Sequence, residues 1–197
     1  MMAHKLFRLG LVAVALASAS CGSVVRQGTG TSFLIVNELA FARGDEPDTF
    51  VANAISDVNG PNEVQFNDLA RATFSLGLKD PGAPGAPALP SQNQFITIDR
   101  YHVRFFRADG RDRQGVDVPY DFDGAFTVTV GSGTVETPFT VVRHDAKREA
   151  PLATLGVNGV VLTIMAEITF YGRDQTGHQV VASARASIDF GNFVFED

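Results

Sequence analysis

Covalent chemistry is most accessible at Cys21, the one cysteine in the 197 residues. It follows the small residues Ser18, Ala19 and Ser20 and precedes Gly22. Such a run lies easily in a peptidase groove and leaves the sulfur open to modification, the thiolate being the nucleophilic form of cysteine. A second grouping, Ser132 with His144 and Asp145, has the residue types of a nucleophile, a base and an orienting carboxylate. Its context is wrong for that chemistry: there is no Gly-x-Ser-x-Gly elbow, and Gly131-Ser132-Gly133 reads as a hairpin turn. Oxygen-rich clusters that would suit calcium occur at Asp57 with Asn59 and Asn62, at Asp121 with Asp123, and at Asp45 with Glu46 and Asp48. None has the spacing of an EF-hand loop, and each reads more simply as a turn in which Asp or Asn bonds its own backbone. For zinc, the chain beyond Cys21 offers only His102, His144 and His178, far apart and without a cysteine beside them. The reading is therefore no catalytic residue, no metal site and no cofactor, and it points away from an enzyme.

What positions Cys21 is the segment before it. His4, Lys5 and Arg8 form a basic stretch, Leu9 to Ala17 an apolar run, and Ser18-Ala19-Ser20 a small-residue end. This three-part layout is that of a secretory signal and is too short for a stable membrane span. With Ser20-Cys21-Gly22 it resembles the lipobox of bacterial lipoproteins, departing from the usual pattern at Ser18, where a large aliphatic residue commonly stands; Leu16 lies two residues earlier. The resemblance implies that residues 1–20 are removed as a signal peptide and that Cys21 carries a diacylglyceryl lipid, with acyl chains such as palmitate. It also implies a membrane anchor in the bacterial cell envelope, and Gly22, in place of the Asp that retains many such proteins at the inner membrane, points to the outer one. Lipidation consumes the lone thiol, which an exported protein would otherwise expose to oxidation.

Loss of residues 1–20 would remove Lys5 and Arg8, leaving 14 basic against 22 acidic side chains, a net charge of about −8. The nearest approach to a basic patch, Arg104, Arg107, Arg111 and Arg113, is interleaved with Asp109, Asp112 and Asp117 and reads as a solvated hairpin. Nucleic acid is excluded as a partner, because a phosphate backbone is bound by displacing its counterions with a basic face.

Residues 21–31 are small and polar, as a flexible tether is, and a single domain is expected over 32–197. Its dominant period is two. Val160, Leu162, Ile164, Ala166, Ile168 and Phe170 share one parity, as do Val180, Ala182, Ala184, Ala186, Ile188 and Phe190, with Arg173 to His178 as the turn between two antiparallel strands. Ala72 to Leu78, Phe126 to Val130, and Phe139 with Val141 alternate likewise, and segments 33–41 and 50–58 look strand-like. Between Phe95 and Phe106 the phase slips from Ile96 and Ile98 to Tyr101, Val103 and Phe105, which places a β-bulge near Asp99 or Arg100. A short turn of helix interrupted by Pro151 is expected over Asp145 to Leu155. Residues 79–93, with four of the nine prolines between Pro81 and Pro90, are expected to form a semi-rigid surface loop; a polyproline-like recognition segment is the other reading.

The predicted fold is all-β, an antiparallel sandwich of about seven to nine strands, whose core rests on 16 Phe with no Trp. Phe170-Tyr171-Gly172-Arg173-Asp174-Gln175-Thr176-Gly177-His178 resembles the F–G turn of bacterial Ig-like and fibronectin type III-like domains, with His178 where Asn is usual. Tyr101 to Gly110 resembles the C–C′ hairpin of the same superfamily. These motifs, some 20 residues in all, imply a fold that hosts many roles and names none. Two functions stand in front. The first is a non-catalytic envelope lipoprotein acting as a structural or protein-interaction domain. The second is a carbohydrate-binding module, with Tyr101, Tyr120, Tyr171 and Phe122 as the rings available to a glycan.

Overall fold

The computed structural model describes residues 30–43, 46–59 and 64–193. The expected signal segment, Cys21 and nearly all of the tether fall outside them, as do Asp45 and Asn62. In chain order the elements are β1 (Ser32–Arg43), β2 (Glu46–Val51), β3 (Ala54–Asp57), β4 (Asp68–Leu78), the two-residue strands β5 (Gly82–Ala83) and β6 (Ala86–Pro87), β7 (Ile96–Phe106), β8 (Phe122–Val130), β9 (Val135–Val142), the single-turn helices α1 (His144–Lys147) and α2 (Leu155–Asn158), then β10 (Leu162–Asp174) and β11 (Gln179–Gly191). Nine strands make two sheets, ordered β2-β1-β4-β9 and β3-β11-β10-β7-β8. The fold is all-β.

The most regular alternation in the sequence builds the centre of the larger sheet. β10 and β11 stay in register from Leu162 opposite Phe190 to Arg173 opposite Gln179. Ile164, Ala166, Ile168 and Phe170 are wholly buried on one face, while Thr163 bonds Asp189 and Thr169 bonds Ser183 on the other. The phase slip in β7 is a bulge at Asp99: the ladder to β8 shifts between Ile98 and Arg100, and opposite it the ladder to β10 shifts between Tyr171 and Gly172. The bulge presses its backbone against Gly172, where a Cβ would lie 2.5 Å from the Thr97 carbonyl oxygen. Only glycine fits so close an approach.

The sheets meet through aromatic side chains. Phe170 of β10 takes Phe74 of β4 edge-on at 4.8 Å and Phe139 of β9 at 5.5 Å, and Tyr101 of β7 packs on Phe139 at 5.1 Å and on Phe126 at 5.6 Å. Each fully buried Phe contributes about 1.5–3 kcal/mol of transfer free energy, so this cluster is a main source of the cohesion between the two sheets.

Four expectations need correction. The segment 50–58 is not one strand: it breaks at Ala52-Asn53, where the chain leaves the smaller sheet as β2 and enters the larger as β3. β3 then runs parallel to β11, so the architecture is not wholly antiparallel. Gly131-Ser132-Gly133 is an arch and not a hairpin turn, because β8 and β9 on either side of it belong to different sheets. Val160 precedes β10 and is exposed, the strand starting at Leu162. The expected helix over 145–155 is two single turns flanking Pro151, and the proline segment is an exposed loop folded on the small β5–β6 pair.

Candidate functional site

The groupings singled out for chemistry are dispersed by the fold. Ser132 lies in the arch before β9 and His144 just after it, so the eight residues of that strand separate them, about 26 Å of extended chain. His144 instead receives Asn67, whose Oδ1 accepts from its backbone N–H at 2.8 Å, and places Nε2 3.0 Å from its neighbour Asp145. His102 pairs with Asp123 at 3.2 Å and His178 with Asp174 at 3.1 Å, so the three histidines serve three separate places.

The oxygen clusters are turns. Asp57 accepts from the Asn59 N–H at 3.1 Å, and Asp121 from the Phe105 N–H at 3.0 Å and from Gln114 at 2.8 Å. The side chains of Glu46 and Asp48 fall outside the described residues, and among those described no three His, Cys, Asp or Glu converge on one point. The Arg-rich loop is neutralised in place: Arg104 bonds Asp112 at 3.0 Å, and Arg111 bonds Asp109 at 2.7 Å. In that exposed pair the guanidinium holds the Asp109 carboxyl below the usual range, and the carboxylate raises Arg111.

The four candidate rings do not share a face. Tyr101 and Phe122 are buried in the core, Tyr171 is covered by the Arg100 guanidinium at 4.4 Å, and Tyr120 folds its hydroxyl over Gly115 in the β7–β8 loop.

Two carboxylates, Asp174 buried and Asp68 half-buried, were not legible as sites. Asp174 closes the β10–β11 turn, accepting from the backbone N–H of Thr176 and His178, both at 2.9 Å, and from the Thr176 hydroxyl at 2.7 Å. Burial opposes its ionisation, but these donors outweigh burial and hold its pKa below the ordinary value. At the opposite end Asp68 accepts from the Lys147 ammonium at 2.6 Å, with the lysine side chain 3% exposed. There burial dominates and pushes the Asp68 carboxyl up, with Lys147 pulling against it. The pair fastens α1 to the start of β4, an ordinary structural duty for buried opposite charges.

What the fold does assemble is an open flank. β2 covers β1 only at Phe41 to Arg43, and β3 covers β11 only from Ile188 to Gly191. Between them lies a groove of about 570 Å³, lined by Val36, Leu39, Ala184 and Ala186 from the inner faces and by Asn37 and Arg185 at its rim. The inward-facing Ala182, Ala184 and Ala186 of β11 stay partly exposed, because side chains this small leave the space beside them unfilled. Among the described residues, the large apolar side chains exposed within strands are Ile55 of β3 in this groove, Phe33 and Ile35 on the outer face of β1, and Val181 on the outer face of β11 near Arg100 and Tyr171. The sequence signal for the groove was the run of alternate alanines in β11, which marks an inner face too small to seal a core.

No family model and no curated protein matches the sequence. Among solved structures the chain is similar to the sporulation control protein Spo0M from Bacillus subtilis at 9% identity and a TM-score of 0.28, over 81% of this chain and 49% of that one. The matched part is about half the length of that protein, and the likeness is too slight to bear on function.

Proposed function

We propose that this chain is a non-catalytic lipoprotein of the bacterial cell envelope, held by a lipid on Cys21, whose Ig-like sandwich serves as a structural or protein-interaction domain. The strand order supports the Ig-like reading. β1, β4 and β9 follow the A-B-E sheet, and β8, β7, β10 and β11 follow C′-C-F-G. The observation that carries the interaction role is the open flank, where exposed apolar side chains coincide with strand edges that no described strand covers. Gly30 lies beside Asp174 and His178 at the β10–β11 turn, at one end of this flank. A glycan-binding role has less support, since the four rings provide no common platform.

The test compares wild type with Cys21→Ala in a bacterial host by intact mass and membrane fractionation, with crosslinking in the envelope. A diacylglyceryl mass on the wild type, lost with membrane retention in the variant, supports the anchor. Crosslinks from the β1 and β11 flank support the interaction role. Two soluble proteins cut near residue 20 would sink the anchored reading.

A further inference from the structure

The outer face of the larger sheet is hollowed where the Asp99 bulge breaks its ladder. This hollow, about 370 Å³, is lined by Asp99 and Arg100 of β7, Tyr171 and Arg173 of β10, and Gln179 and Val181 of β11. Tyr171 and Arg173 share one face of β10, about 7 Å apart along the strand. The ladders set Arg100 and Val181 opposite Tyr171, and Gln179 opposite Arg173. The Arg100 guanidinium lies over the Tyr171 ring at 4.4 Å, which steadies the cation but supplies no counter-ion.

The charges here are paired differently from those elsewhere on the domain. Arg71 meets Glu136 at 3.2 Å and Arg185 meets Glu167 at 2.6 Å. Arg100 and Arg173 form no ion pair among the described residues, in a chain with 22 acidic side chains to 16 basic. Asp99 accepts no hydrogen bond among the described residues either, although it lines the same hollow. Two exposed guanidiniums and an exposed carboxylate thus share one concavity without joining each other.

We propose that this hollow binds a uronic acid residue of a glycan. The sugar carboxylate accepts from Arg100 and Arg173, Asp99 and Gln179 take its hydroxyls, and Val181 lies against the C–H face of the ring. The mixed charge selects this chemistry. A phosphate, or an acidic side chain of a protein, would satisfy the arginines but bring a second negative charge to Asp99 with no hydroxyl for it to accept from. A neutral sugar would use Asp99 and leave both guanidiniums without a counter-ion. An acid that also carries hydroxyls meets all three groups. Because the hollow lies open on a sheet face, neighbouring sugars of the chain can continue across it. The site needs no aromatic platform, and it rests on neither the anchor nor the open flank.

The experiment is isothermal titration calorimetry of the full chain, extracted in a polyoxyethylene detergent, with trisaccharides of galacturonate, mannuronate and guluronate as probes. Galactotriose, gluconate, inorganic phosphate and a glutamate tripeptide are the comparison ligands. At least one uronate is expected to bind wild type with a Kd below about 1 mM, and at least tenfold more tightly than any comparison ligand. Arg173→Ala is expected to weaken that binding tenfold or more. Arg113→Ala, which removes an exposed cation from the β7–β8 loop, should leave it unchanged. Asp99→Asn should narrow the preference for uronate over phosphate at least threefold, since both anions gain from the lost charge but only the sugar loses an acceptor. Asp99 and Arg173 are exposed, so these variants keep the fold. No binding by any of the three uronates, equal losses in Arg173→Ala and Arg113→Ala, a comparison ligand bound as tightly as the uronate, or a preference indifferent to Asp99→Asn overturns the proposal.

Discussion

The two flanks of this domain are built from different materials. On one, β8 and β9 approach as neighbouring edges joined by the arch at 131–134, and behind them Tyr101, Phe126, Phe139 and Phe170 interlock across the sheets. β9 carries Glu136 and Pro138 on its edge, the second of which has no N–H to offer a foreign strand. On the other flank the inner faces hold alanines and half-buried Val36 and Leu39, the edges of β1 and β11 run uncovered for much of their length, and apolar side chains are exposed. One flank fills its interior with aromatic rings; the other leaves a groove between small inner side chains.

The largest test of that contrast removes one side chain from each side. Phe139→Ala on the sealed flank should lower unfolding free energy by about 3–5 kcal/mol, read from denaturant midpoints at constant m-value, because the cavity it leaves is walled by rings that cannot close on it. Leu39→Ala on the open flank should lose about 1–2 kcal/mol, since its site is already partly solvated. Equal losses would mean that the flanks are packed alike.

Next comes Lys147→Ala, at the far end of the sealed flank. It should cost about 3 kcal/mol, because it strands the Asp68 carboxyl whose second oxygen, Oδ2, already lacks a hydrogen bond. The loss has a pH signature. A carboxyl whose folded pKa is raised stabilises below its unfolded value and loses that contribution as pH rises through the folded value. The variant should therefore fall further behind wild type in melts at pH 8 than at pH 5. A gap that narrows with rising pH would show that Asp68 is not the group left unpaired.

Asp174→Asn should behave in the opposite way and cost about 2 kcal/mol at neutral pH, through weaker acceptance from Thr176 and His178. A depressed folded pKa gives stability that is present above the unfolded value, near 3.9, and is lost as pH falls through the folded one. Wild type should thus shed stability below about pH 4 more steeply than the variant, in melts across pH 2 to 6. Superimposable acid limbs would remove Asp174 from the account.

How much of this the sequence discloses depends on the range of the cause. β10 and β11 are legible because one face is buried for their whole length, so alternation runs unbroken, and the Asp99 bulge shows as the point where parity changes. The crossing at Ala52-Asn53 is hidden, since a chain passing from one sheet to another keeps the same apolar character. The arch at 131–133 misleads for the same reason: Gly-Ser-Gly turns the chain whether or not the strands on either side of it pair. Asp68 and Lys147 are 79 residues apart and look like any two surface charges until the fold buries them. The open flank is half-legible. Its small inner residues can be read from β11, whereas the shortness of β2 and β3, which leaves those residues uncovered, is set by where the chain crosses.

The smallest expected change in stability tests why the sealed flank stays sealed. Pro138→Thr places a β-branched residue with a backbone N–H on the edge strand β9, opposite Arg71. Stability should move by no more than about 0.5 kcal/mol, because Pro138 is exposed and lies outside the aromatic cluster. Pairing should respond more. With the proline gone and Glu136→Thr added, β9 offers an uncharged edge with every N–H in place, and sedimentation should show association beyond that of wild type. If the double variant associates no more than wild type, proline and charge are not what protect this edge, and the distinction between the two sides reduces to packing alone.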